Sequence, residues 1–350
     1  MKGCLSEAAF HFKKYIMRDI ADDIQRWMDQ GKVFALATVI KTWRSAPRQV
    51  GSCMAISDEL QIIGSVSGGC VEGEVVKRAQ EVIKTQVPTK IRFGVSNDDA
   101  WNVGLSCGGA IEIFLEPFPG KAPSIWKALL ARIDAEKPSV LVKSLDASGT
   151  QSLYGAEFSD ETMADPIRNE ATLALKRRES KKVDAEGVPI FLHSFPTQPH
   201  LIMIGAAHIT VDLTKQARLQ GFRTTVIDPR GIFSGSITET DRPDKLHAAW
   251  PQEILPELSL DDSTYVAILS HDTKIDDPAL HILLRSQVAY IGALGSRKTQ
   301  AKRKARLLEA GFSETEVARI HGPIGLDIGA LTPAEIALSV MAEVVRVGRS

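Results

Sequence analysis

The chain has 350 residues, with 42 Lys and Arg against 43 Asp and Glu and a formal net charge of -1. That balance argues against nucleic acid or an anionic membrane surface as the main partner. No run of about 20 apolar residues predicts a membrane span, and the first residues, with Glu7, Lys13 and Lys14, lack the apolar core of a signal peptide. At 44% hydrophobic and 24% charged residues, the composition predicts a cytoplasmic protein of two globular domains.

The four cysteines are Cys4, Cys53, Cys70 and Cys107. None belongs to a C-x-x-C pair, so neither a zinc knuckle nor a disulfide framework is expected. In a reducing compartment, a functional cysteine in this chain would act as a thiolate. Cys4 and Cys53 read as small buried hydrophobes.

Ile16, Ile20, Ile24, Trp27 and Met28 recur at helical spacing, with Gly31 as the stop. Residues 33–40 read as a buried strand. The polar loop after it holds Arg44, Ser45, Pro47, Arg48, Gly51 and Ser52. Guanidinium groups framed by hydroxyls suit an oxyanion, although a solvated hairpin loop has the same composition. Next, Ile62 and Ile63 run into Gly68, Gly69 and Cys70, and a helix follows with Val75, Val76, Ala79 and Val82 on one side. Such a helix start offers unpaired N–H groups and a positive dipole end, which favours thiolate over thiol at Cys70. The plainer alternative is a tight glycine turn with an inert cysteine. Gly104, Gly108 and Gly109 frame Cys107 in a second bend before the alternating strand that starts at Ala110, where backbone can approach a ligand closely.

The middle of the chain carries less signal. Residues 140–142 and 151–154 could pair as a hairpin, residues 171–176 form a helical patch, and residues 188–193 read as a strand. Pro196 and Pro199 mark a boundary, giving an expected α+β domain over 1–195 and a Rossmann-like domain over 196–350, with helices on both faces of a parallel sheet.

That second domain opens with an apolar strand ending in Gly205, a helix start at His208, a stop at Gly221, and a second strand ending in Asp228. The layout is that of a dinucleotide-binding βαβ unit, with the helix N-terminus toward a phosphate and the acid toward a ribose. Ala207 stands where the second glycine is usual. Arg230 could hold a phosphate or cap a turn. Two further strand candidates, residues 264–270 and 289–295, deliver His271 with Asp272 and Ser296 with Arg297. Asp277 and Pro278 read as the cap and first residue of a helix, and the Lys/Arg face of the helix over 298–310 reads as solvated. His208, Asp228, Arg230, His271, Asp272, Ser296 and Arg297 should therefore line one rim at the carboxyl ends of the strands. Asp327, among three glycines, is expected to face the same crevice. Thr332, Pro333 and Glu335 form a capping box for the last helix.

Taken in order and spacing, several segments together resemble the XdhC/CoxI family of accessory proteins for xanthine dehydrogenase and related molybdenum hydroxylases. They are Ser45-Ala46-Pro47-Arg48 with Gly51 and Met54; Ser67-Gly68-Gly69-Cys70-Val71-Glu72; Cys107-Gly108-Gly109; Gly205-Ala206-Ala207-His208; Asp228-Pro229-Arg230; His271-Asp272 with Asp276-Asp277-Pro278; Gly292-Ala293-Leu294-Gly295-Ser296-Arg297; and Pro323-Ile324-Gly325-Leu326-Asp327. The resemblance implies a chaperone without turnover of its own. Such a protein binds molybdenum cofactor (molybdopterin, a pyranopterin with a phosphate tail), holds it during sulfuration and delivers it to an apo molybdenum hydroxylase. It also implies a cysteine desulfurase as second partner and is compatible with a homodimer. A soft, sulfur-bearing metal suits thiolates, so Cys70 and Cys107 are candidates to contact molybdenum or relay sulfur. Arg48, Gly68, Gly69, Gly205 and the rim residues with Asp327 are the candidate cofactor ligands. The competing reading is an NAD(P)-dependent oxidoreductase with His208 or His271 as acid/base and Asp228 on the ribose. A nucleotide-using sulfurtransferase or a nucleotide sensor comes third. Two glycine-framed cysteines favour the chaperone, since a dehydrogenase has no use for them.

Overall fold

A computed structural model describes residues 17–43, 46, 48–94, 109–120, 122–146, 148, 150–155, 158–159, 163–185, 187–231 and 241–349. The chain forms two compact units, Met1–Thr197 and Gln198–Ser350.

In the first unit, helix α1 (Ala21–Asp29) precedes β1 (Phe34–Trp43), β2 (Cys53–Ser57), β3 (Ile62–Gly64), helix α2 (Glu72–Thr85), β4 (Thr89–Phe93) and β5 (Ala110–Phe118). These strands form an antiparallel five-stranded sheet in the order β3-β2-β1-β5-β4. Helix α3 (Pro123–Asp134) leads to a second sheet built from β6 (Ser139–Ser144), β7 (Gln151–Gly155), β8 (Phe158–Ser159), β9 (Lys181–Ala185) and β10 (Val188–Phe195). Its order is β8-β7-β6-β10-β9, again antiparallel. Helix α4 (Asp165–Arg177) extends well beyond the short patch expected there.

Burial explains the layering. Residues 34–40 of β1 are buried on both faces. On one side Ala35, Ala37 and Val39 pack with Val75, Ala79 and Val82 of α2. On the other, Leu36 and Cys53 meet Leu141, Leu153 and Phe195 of the second sheet, together with Ile24 and Trp27 of α1 and Trp126 and Leu129 of α3. Helix α4 covers the far side of the second sheet through Ala171 and Ala174. A charged pair crosses the sheet-to-sheet core: Lys143 Nζ lies 2.5 Å from Glu116 Oε1, both buried, and Gln151 donates to Glu116 Oε2 at 2.8 Å. Breaking such a pair by removing one partner strands a buried charge.

The second unit runs β11 (His200–Ile204), α5 (His208–Leu219), β12 (Arg223–Ile227), β13 (Lys245–His247), α6 (Pro251–Ile254), β14 (Thr264–Ile268), α7 (Thr273–Leu283), β15 (Tyr290–Ala293), α8 (Arg297–Glu309), α9 (Glu314–Val317), β16 (Ile320–His321) and α10 (Pro333–Val347). All pairings are parallel, in a six-stranded sheet ordered β13-β12-β11-β14-β15-β16. Counted within the unit this is the doubly wound 3-2-1-4-5-6 order, with its switch point between β11 and β14. Alternation along β11 divides two cores. Ile202 and Ile204 face Ile275, Leu280 and Leu307 of α7 and α8, whereas Leu201 and Met203 face Leu213 of α5 and Val340 and Val344 of α10.

Two expectations change. Helix α7 begins at Thr273, with Asp272 as the cap accepting from Lys274 N at 2.9 Å, and Pro278 lies inside it. The Asp277-Pro278 pair imitated a helix start one turn too late. In α8, Arg303 is buried to 3% exposure, so its basic residues are not all solvated. Among the described residues, no helix is long and apolar enough to cross a membrane.

Candidate functional site

The loop from Ser65 to Glu72 joins β3 to α2, and its polar atoms close on one side chain. Glu72 Oε1 accepts from Ser65 Oγ at 2.7 Å, Ser67 N at 2.9 Å and Gly68 N at 3.0 Å. Oε2 accepts from Gly69 N at 2.9 Å, Val71 N at 3.2 Å and the Ser67 hydroxyl. Burial works to raise the Glu72 pKa, but the bonds from Ser67, Ser65 and the backbone outweigh it and hold the carboxyl at about 2. The N–H groups expected to receive an external anion are therefore held by the chain's own carboxylate. Cys70 N donates to Ser67 Oγ at 3.0 Å, and the thiol is half-buried at the bend. Cys107 and Gly108 lie outside the described residues. Cys53 is buried, and burial raises its thiol to about 11, leaving it inert at neutral pH.

Arg48 lies in the turn between β1 and β2. That turn is fixed by Gly51 N donating to Val39 O at 2.8 Å and Ser52 N to Gln49 O at 3.1 Å. Gly51 has φ 91°, and a Cβ there would stand 3.0 Å from Ser180 Oγ and 3.2 Å from His193 Nε2. Only glycine fits.

In the second unit, the carboxyl ends of β11, β12, β14 and β15 are in register, with Ile204 opposite both Ile227 and Ile268, and Ile268 opposite Ala293. This brings Gly205, His208, Asp228, Arg230, His271, Asp272, Ser296 and Arg297 onto one rim. Gly205 has φ 110°, and a Cβ would lie 2.7 Å from Ser270 N, so the βα turn passes directly against the end of β14. Thr210 Oγ1 donates to Gly205 O at 2.8 Å and accepts from Ala207 N at 3.2 Å, closing the first turn of α5.

Asp228, 2% exposed, does not wait open for a ribose. Its carboxylate accepts from Ala206 N at 2.7 Å, from Arg230 N at 2.9 Å, and from Arg230 Nε and Nη2 at 2.9 and 2.7 Å. Burial pushes its pKa up, yet the bonds from Arg230 and Ala206 win and the acid is held below its ordinary value. Arg230 is raised chiefly by Asp228, and the charges of Asp272 and Asp276 reach it as well. His208, His271, Ser296 and Arg297 are exposed. His271 holds a left-handed φ of 60°, a backbone conformation uncommon outside glycine.

Two buried networks hold the rim turns. Asp276 accepts from Ser270 Oγ at 2.5 Å and from Arg303 Nη2 at 3.1 Å. Arg303 continues to Leu294 O at 3.3 Å and to the Gln300 side chain, whose Nε2 donates to Ala293 O at 2.8 Å. The turns carrying His271 and Ser296 are thus tied to one ion pair. Sequence reasoning missed Arg303 because its neighbours on α8 are solvated. The second hub is Glu343, which accepts from Tyr290 Oη at 2.7 Å and from Gly325 N at 2.9 Å. It anchors the loop carrying Asp327, itself exposed. Among the described residues, no group of three His, Cys, Asp or Glu is arranged to hold a metal ion.

The doubly wound sheet with a glycine turn at β11 defines a Rossmann-type unit joined to an antiparallel α+β unit. Residues 201–344 match the family model described as the XdhC Rossmann domain, and residues 27–94 match that of the XdhC and CoxI family. The chain belongs to the XdhC/CoxI family. It is 28% identical over 317 residues to a probable xanthine dehydrogenase subunit from Bacillus subtilis (strain 168), covering 89% of this chain and 92% of that protein. It is 24% identical over 317 residues to the molybdenum cofactor insertion chaperone PaoD of Escherichia coli (strain K12), covering 91% and 84%. The crystal structure of a xanthine dehydrogenase from Bacillus halodurans shares the fold with a TM-score of 0.72 and 26% identity, over 94% of this chain and 95% of that one.

Proposed function

We propose that the chain is a cytoplasmic maturation factor that holds molybdenum cofactor during sulfuration and inserts it into xanthine dehydrogenase or a related molybdenum hydroxylase, with no turnover of its own. The observation that carries this reading is the saturated carboxylate of Asp228. In a nicotinamide dehydrogenase that acid binds the cofactor's ribose, whereas in this chain its oxygens are taken up by Arg230 and Ala206 N. Similarity over most of the chain to a protein named a molybdenum cofactor insertion chaperone supports the same conclusion.

The cargo is a pyranopterin with a phosphate and a soft metal centre. Thiolates suit such a metal, and Cys70, with Cys107 as the second thiol, is the group to contact it or relay sulfur. Because Glu72 occupies the α2 N-terminus, the phosphate falls to guanidinium groups, with Arg48, Arg230 and Arg297 as candidates. Gly68 and Gly69 in the first unit, and Gly205, His208, His271, Asp272, Ser296 and Asp327 in the second, are the further candidate ligands. An apo hydroxylase receives the cargo, a cysteine desulfurase supplies sulfur, and the chain works as a homodimer. The doubly wound sheet order keeps NAD(P) binding as the second reading.

The test incubates the purified protein with molybdenum cofactor released from a molybdoenzyme, separates bound from free, and titrates NADH and NADPH in parallel. Pterin uptake near one per chain, reduced in Cys70→Ala, is expected. Tight nicotinamide binding without pterin uptake overturns the reading.

A further inference from the structure

His193, on β10, is 2% exposed and reaches across to the turn that carries Arg48. Its Nε2 lies 3.0 Å from Gly51 O. A carbonyl oxygen only accepts, so Nε2 carries the proton. Nδ1 has no hydrogen-bond partner among the described residues, so nothing favours the other tautomer. Burial, then the nearby Lys143 ammonium, hold the ring neutral far below its ordinary value despite the bond to Gly51. The same carbonyl meets the Cys53 thiol at 3.5 Å, and Ser180 Oγ stands 3.0 Å from where a Cβ on Gly51 would lie. The chain just after Arg48 is therefore gripped by β1, by Ser180 and by His193. The last two belong to the stretch whose sequence says least.

We propose that His193 is a positioning residue for the Arg48 loop: by holding the Gly51 carbonyl it sets where the guanidinium stands, so cargo affinity depends on a side chain that does not touch the cargo. The inference rests on the reading of Arg48 as a ligand of the anionic tail. Simple core filling makes a different demand. The ring of His193 lies 5.4 Å from that of Phe191 and 4.3 Å from that of Phe195, so phenylalanine at this position keeps an aromatic ring among those neighbours and removes the donor. Glutamine preserves a donor instead.

The experiment measures uptake of molybdenum cofactor, released from a purified molybdoenzyme, by the full chain and by Arg48→Ala, His193→Phe, His193→Gln and the double variant Arg48→Ala/His193→Phe. Loss of one buried hydrogen bond should weaken uptake about fivefold in His193→Phe. His193→Gln should stay within about twofold, and the His193→Phe effect should vanish when Arg48 is already alanine. A His193→Phe effect of equal size with and without Arg48, or none at all while Arg48→Ala is impaired, overturns the inference. If Arg48→Ala binds normally, the Arg48 reading fails and the inference falls with it, a distinguishable outcome. Should His193→Phe fail to fold, nitrogen NMR of the native imidazole decides: the Nε2–H tautomer is expected, and Nδ1–H contradicts the proposal.

Discussion

Arg230 clasps Asp228 with two parallel bonds, Nε to Oδ1 at 2.9 Å and Nη2 to Oδ2 at 2.7 Å, while Ala206 N donates to the same carboxylate at 2.7 Å. The acid that would recognise a ribose is therefore the internal brace of the βα turn. Asp228→Ala should cost about 1–2 kcal/mol, because it takes the acceptor from the part-buried Ala206 N–H and from Arg230, and urea denaturation reads this directly. Arg230→Ala should do the reverse for ligands: it frees the carboxylate, and NADH affinity should rise above that of the parent.

Glu72 performs the same service for the Cys70 loop. Glu72→Ala takes the acceptor from the N–H groups of Ser67 and Gly69, leaves Gly68 and Val71 only the Ser65 and Ser67 hydroxyls, and removes the charge at the α2 N-terminus. A loss of about 1–3 kcal/mol is expected. Alkylation of Cys70, followed by mass spectrometry, should become faster as the loop loosens.

Acid should weaken the fold from about pH 6.5 downward. Burial, then the Arg223 and Lys245 charges, lower the His200 pKa from 6.5 to about 4. In that window the unfolded chain binds a proton that the native chain refuses, so stability falls with pH by at most about 3 kcal/mol. His193 acts with the same sign and continues lower. Glu72, depressed from 4.5 to about 2, adds a loss below pH 4.5. Urea midpoints between pH 7.5 and 4 should show the slope, and His200→Gln should flatten its upper part.

Two glycines separate strain from collision. Gly68 has φ 78° with nothing within 4 Å of an added Cβ, so Gly68→Ala should cost about 1–2 kcal/mol from backbone strain alone. At Gly205 the Cβ would meet Ser270 backbone at 2.7 Å, and Gly205→Ala should cost distinctly more, with the rim displaced. Thermal melts of the two variants give the comparison.

The Rossmann half was legible because β11, β14 and β15 are largely apolar runs and β12 a run rich in β-branched residues, nearly all buried, ended by Gly205, Ser270, Gly295 and Asp228. The edge strands β13 and β16 were not, since residues such as Lys245, His247 and His321 carry no such run. In the first unit, β1, β2 and β5 were readable from alternation and burial. The second sheet was only partly so: its charged Lys143 and its His193 face inward, where composition predicts solvent or a strand end. Candidate rim residues could be named from strand ends, but their partners could not. That Asp228 belongs to Arg230, Asp276 to Arg303 and the loop N–H groups to Glu72 depends on side-chain geometry within a few residues or across helices. Periodicity does not encode it.

Mass spectrometry of the small molecules that co-purify with the chain from cofactor-replete cells decides most directly between a molybdenum pterin and a nicotinamide as its cargo. A pterin at about one per chain and no stoichiometric NAD(P) is expected. A nicotinamide dinucleotide in that proportion, with no pterin present, would contradict it.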